Sequence, residues 1–193
     1  MSAKARLDRV SVVLTAASLA DEIGFEHVTL AAVASRLGVR IPSLYNHVDG
    51  LPGLRRELAL YGIRELNKRL QLAAIGKESE RAIEAMFHAY RAFARERPGL
   101  YEATLHAPDP QDRELEKAAQ DIVETVLTVL EPFHFTHEDA IHVVRGIRSV
   151  AHGFASLEAA GGFGLSIDPD ESYRRLISVF LLGLHSIRQV DEN

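Results

Sequence analysis

Between Thr29 and His47 the chain concentrates side chains suited to a surface of phosphates and base edges. Arg40 reaches either kind of partner. Tyr45 and His47 present hydrogen-bond donors on flat apolar bodies, which suits phosphate contacts, and Asn46 pairs with a base or a phosphate. Small Pro42 and Ser43 allow close approach to a groove floor. Such groups work only if something rigid holds them together. Leu30, Val33, Ala34 and Leu37 fall at i, i+3, i+4 and i+7, a short helix with one buried face. Gly38-Val39-Arg40 then turns into a second helix over Ile41 to His47. Two short helices across a glycine turn have the layout in which the second enters the major groove and the first crosses the backbone. The same spacing also describes an exposed helical hairpin with no nucleic-acid role, so spacing alone leaves both readings open.

Other chemistry is poorly served. His134, His137 and His142, with Glu138 and Asp139 nearby, do not follow a single i, i+4 ligand pattern, and no HExxH run occurs. With no cysteine there is no thiolate nucleophile, no disulfide and no cysteine zinc site, which fits a reducing cytoplasm. No P-loop, GxGxxG or GxSxG pattern is present. The residues ask for no cofactor and advertise no enzyme.

The elements that must position the chemistry are helical throughout. Apolar residues recur at period 3.6 and no stretch alternates at period 2 for long enough to pair, which predicts an all-α chain. Nine helices are expected near 5–23, 30–37, 41–47, 51–74, 79–96, 99–106, 110–131, 137–160 and 169–190. Thr29, Thr136 and Asp168 stand at N-cap positions, Pro42, Pro52 and Pro169 near first turns, and Gly38 at a helix end. Asp168-Pro169-Asp170-Glu171 reads as a capping box. The 193 residues suit a small three-helix module over 1–52 and a larger body over 53–193, with the long fourth helix linking them mechanically. The net charge of −5 divides unevenly: residues 1–56 hold seven basic and five acidic side chains, a net of +2, which leaves −7 for the rest. A basic end on an acidic body suits contact with phosphates at one end only. No apolar run reaches the roughly 18 residues needed to cross a bilayer. The Lys4 to Ala20 stretch has signal-peptide features, but its helical spacing and its continuation through Gly24 and Phe25 favour a folded first helix.

The stretch Gly24 to Val39, GFEHVTLAAVASRLGV, followed by Ser43-Leu44-Tyr45-Asn46-His47-Val48, resembles the DNA-binding domain of TetR-type regulators in order and spacing. The resemblance implies that Thr29 caps the second helix and bonds a phosphate, that Tyr45 and His47 grip the backbone, and that Arg40, Ile41, Pro42 and Ser43 face bases. It implies a homodimer on a palindromic operator of double-stranded DNA, repressing until a small-molecule effector binds. Where many members carry a phosphate-binding lysine soon after the His-hydrophobic pair, this chain has Gly50-Leu51-Pro52-Gly53-Leu54; Arg55 or Arg56 is expected to supply the charge, helped by backbone N–H groups at the start of the fourth helix.

Arg145 to Glu158 and Gly161-Gly162-Phe163-Gly164 resemble the C-terminal domain named for a Trp-His-Gly motif, here reduced to His152-Gly153 because the chain has no tryptophan. The body is expected to hold an apolar or aromatic effector with one polar group, between Met86, Tyr90, Phe93, Tyr101, His106, Arg148 and His152, although a Met and aromatic stripe is also what a packed core looks like. The wide apolar face of Tyr173, Leu176, Ile177, Phe180, Leu184 and Ile187 predicts a four-helix dimer interface. A helical small-molecule binder without DNA function is the competing reading.

Overall fold

The computed structural model describes residues 7–105 and 111–190, with side chains to 187. Among the described residues there are nine α-helices, two short 3-10 turns and no strand. The helices are α1 (Arg9–Ile23), α2 (Leu30–Leu37), α3 (Ile41–Leu44), α4 (Gly50–Ala74), α5 (Ser79–Glu96), α6 (Pro98–Ala103), α7 (Arg113–Leu130), α8 (His137–Ala159) and α9 (Pro169–Val190). The chain packs as two units, 1–65 with 97–119 and 66–96 with 120–193. The division in the first half of the chain thus falls inside α4, and α6 and the start of α7, expected in the body, pack with the N-terminal helices.

In the first unit α1 starts at a capping box: Asp8 accepts from the Ser11 amide at 2.7 Å, and the Ser11 hydroxyl accepts from the Asp8 amide at 3.1 Å. Its Val12, Val13, Ala16, Ala17, Leu19 and Ala20 are buried. Helix α6 lies against the end of α1 so closely that a Cβ on Gly99 would overlap the Ala20 carbonyl. No side chain within α6's own flank caps it. Instead Asp21 accepts from the Leu100 amide at 3.0 Å and from Arg97 Nε, a cap delivered from the far end of the sequence.

The second unit builds its core from α5, α8 and α9. Ile83, Met86, Phe87 and Phe93 of α5, Val143, Ile147, Ala151 and Phe154 of α8, and Tyr173, Ile177 and Leu184 of α9 are buried. Phe87 meets Tyr173 and Phe180 edge-on, with ring centroids 6.4 and 5.4 Å apart, and the Tyr173 hydroxyl donates to the Phe87 carbonyl at 2.8 Å. Thr136 caps α8 through the Asp139 amide, and Asp168 accepts from the Asp170 amide at the start of α9. Glu171, expected to complete a capping box there, binds Arg174 and Arg175 instead, which hold its carboxyl down at about 2.

Candidate functional site

The helix-turn-helix is assembled from the predicted parts. Thr29 caps α2 by accepting from the Ala32 amide at 3.1 Å, and Val33 and Ala34 pin the helix to the unit's core. Gly38 turns the chain in the left-handed region, φ 65°, with its N–H reaching the Ala34 and Ser35 carbonyls. α3 is shorter than the expected 41–47: regular helix ends at Leu44, and residues 45–47 continue as turns, with the His47 and Val48 amides both bonding the Leu44 carbonyl. Pro42 lacks an N–H and α3 has no side-chain cap, so little local bonding extends it. Leu44, fully buried, anchors the segment.

That anchor leaves much of the segment outward, polar and apolar residues alike. Arg40, Ile41, Pro42, Tyr45 and Asn46 are exposed, and Ser43 and His47 are half-buried. The charge is more selective than the sequence suggested. Within residues 7–65, Arg9 pairs with Glu57, Arg36 with Glu22, Arg55 with Glu26, Arg56 with Glu57, Asp112 and Glu114, and Arg64 with Glu114. Among the described residues Arg40 alone of these six arginines holds no carboxylate. Arg55, expected to supply the charge of the missing lysine, has an acidic partner within the chain. Its guanidinium bonds the Glu26 carboxylate at 2.8 Å and lies over the Phe25 ring, 5.3 Å from the centroid, so in this structure it braces the loop before α2. Arg56 is likewise spent on Asp112 and Glu114, whose carboxyls it holds below the usual range.

A family model described as the Tetracyclin repressor-like C-terminal domain matches residues 83–180. The uncharacterised HTH-type transcriptional regulator YobS of Bacillus subtilis (strain 168) is 38% identical over 185 residues, 95% of this chain and 96% of the relative. The chain belongs to the TetR family of transcriptional regulators. The uncharacterised HTH-type transcriptional regulator Rv0681 of Mycobacterium tuberculosis is 32% identical over 181 residues, 93% of this chain and 83% of the relative. A solved TetR variant from Acinetobacter baumannii AYE, in complex with minocycline, shares the fold with a TM-score of 0.72 at 18% identity, over 95% of this chain and 99% of that one. His152-Gly153, which carried the Trp-His-Gly likeness, lies inside the segment that the family model matches.

The sensing residues expected for this TetR-family chain are only partly brought together. Met86, Tyr90 and Phe93 share the buried face of α5. Tyr101 is buried in the other packing unit, His106 lies outside the described residues, and Arg148 is exposed. His152 is half-buried, its ring 3.3 Å from the Ser156 hydroxyl one turn on. A different feature of the second unit has ligand dimensions: an open groove of about 760 Å³ beside Gln71, Ile75, Ala82, Thr125, Val129 and Pro132. Ala74, Ile75, Ala82, Val129 and Pro132 supply its apolar surface, and Lys77, Glu78, Ser79 and Thr128 line it as well. Among its polar residues Gln71 donates to Thr125 at 3.2 Å and Thr125 to Asn67 at 2.8 Å.

Of the expected dimer face, half is buried and half part-buried within the single chain. Tyr173, Ile177 and Leu184 are buried within the chain itself, and Leu176, Phe180 and Ile187 are part-buried beside them. The apolar face of α9 is wide because its centre packs on α5 and α8; the residues left outward are Val179, 67% exposed, and Leu182, 70% exposed.

Sequence reading missed Arg91. It is buried on α5, bonds Glu158 of α8 and Asp170 of α9, and lies 5.0 Å from the Phe154 ring centroid and 4.9 Å from that of Tyr173. The Glu158 hydrogen bond raises its pKa against the cost of burial, and Glu158 in turn titrates lower. Burial pushes the Tyr173 phenol up. An arginine among apolar neighbours at helical spacing gives no sequence signal that it will be paired from two other helices.

Proposed function

We propose that the protein is a homodimeric, cytoplasmic transcription repressor that binds a palindromic DNA operator through Thr29 and the segment Arg40 to His47, and releases it when a small-molecule effector binds its C-terminal body. The observation that carries the DNA reading is the outward set Arg40, Ile41, Pro42, Tyr45 and Asn46 on the recognition segment, with Arg40, among the described residues, outside the carboxylate pairing that occupies Arg36, Arg55 and Arg56. Each phosphate neutralised adds about 0.9 to the slope of log affinity on log salt. The groove beside Gln71 and Thr125, which mixes aliphatic with polar and charged side chains, has the dimensions of a small-molecule site and supports an effector in the C-terminal body. The outward Val179 and Leu182 support a partner on α9.

The test is fluorescence anisotropy of the full chain on labelled DNA from upstream of its own gene, against scrambled DNA, across several salt concentrations. Sequence-preferring binding that weakens steeply with salt is expected; equal binding to both DNAs at every salt concentration sinks the operator reading. Effector and operator must weaken each other by one common factor. A compound that releases DNA yet binds free and DNA-bound protein equally would exclude the release mechanism.

A further inference from the structure

The recognition segment presents hydrocarbon as well as polar groups. Ile41 is 39% exposed, Pro42 beside it is exposed, and the fold is served by Leu44, which is buried completely. A β-branched aliphatic at an outward position adds nothing to helix propensity and leaves apolar area in water. Against the polar edge of guanine, cytosine or adenine, such a side chain would displace water from donors and acceptors and return no hydrogen bond. Thymine differs: its 5-methyl is the one hydrocarbon group among the four base edges in the major groove, and apolar side chains recognise it by contact.

We propose that Ile41 is a specificity-determining residue that selects thymine in the DNA site through its 5-methyl group, with Pro42 extending the apolar contact. The proposal rests on the DNA-binding reading above and adds the base that this side chain reads. It also separates two kinds of contact on one short segment. Ile41 discriminates between bases without contributing charge, whereas Arg40 contributes charge whichever base lies beneath it.

The experiment begins with selection of binding sites by the full-length protein from a randomised duplex pool. Each thymine of the selected site is then replaced singly by uracil, which removes only the methyl, and affinity is read by anisotropy at fixed salt. At one thymine or more, uracil is expected to weaken binding by about fourfold, the transfer free energy of a methyl-sized group. Ile41→Ala is expected to bind thymine and uracil duplexes equally, and Ile41→Val to fall between. Uracil tolerated at every position by the unaltered protein overturns the proposal whether or not the variants fold. So does a uracil penalty that persists undiminished in Ile41→Ala. Failure to enrich any sequence is a distinct result, which overturns the operator reading and this inference with it.

Discussion

At the scale of single residues, the division of labour among arginines governs both ends of the molecule. The buried Arg91 side chain links three helices through charge-assisted bonds, and losing it would leave the partly buried Glu158 carboxylate without its partner. Arg91→Ala is expected to lower unfolding stability by about 3 kcal/mol, read by denaturant titration. The same pair fixes a pH dependence. Glu158 has a folded pKa below its unfolded value, so its contribution is present above the unfolded value of about 4.3 and is lost as pH falls through the folded one. Asp112 and Glu114 act in the same direction. The melting temperature is expected to fall between about pH 5 and pH 3, less steeply in Arg91→Ala; equal slopes in the two proteins would show that this pair carries none of the effect.

At the scale of elements, α6 is the least autonomous helix. It has six residues, no side-chain cap of its own, and a glycine where it meets α1. Its position follows from the Asp21 carboxylate and from the absence of a side chain at Gly99. Gly99→Ala must therefore lift α6 from α1, and a loss of about 2 kcal/mol or more is expected, a fall of several degrees in melting temperature. Gly164, where a Cβ meets nothing, supplies the control, and Gly164→Ala is expected to change little. If both variants melt alike, the α1–α6 contact is not a tight joint. Most of the helices were readable at this scale, because each carries its own period and punctuation: Thr29 and Gly38 bracket α2 in sequence as they do in structure. The shortened α3 was not, since Leu44, Tyr45 and His47 keep helical spacing whether or not the backbone continues as helix.

At the scale of the whole molecule, the outward side of α9 is one apolar surface of the C-terminal unit left uncovered among the described residues. Val179 and Leu182 place two large aliphatic side chains in water. The pair Val179→Asp and Leu182→Asp is expected to convert a dimer to a monomer in sedimentation velocity, with far-UV circular dichroism unchanged. Ile177→Asp, buried in the chain's own core, is expected to unfold the unit instead. Persistence of the dimer in the double variant would move the interface off this face of α9.

By itself, the sequence determined the all-α class, the order of the helices, and the place of the helix-turn-helix. These depend on neighbours a few positions apart: a 3.6-residue period, a threonine cap, a glycine turn, and the motif from Gly24 to Val48. Tertiary structure alone decided which charges are free and which apolar faces are covered. Arg40 and Arg55 are the same residue type fifteen positions apart, yet only Arg55 has Glu26 and the Phe25 ring within reach. Tyr173 and Val179 are both apolar residues on one helix, yet α5 and α8 lie over the first and not the second. Pairing and burial are properties of what lies opposite a side chain, and what lies opposite comes from distant parts of the chain: Asp21 for Leu100, Glu158 for Arg91, Phe87 for Tyr173. Local spacing carries no record of those partners.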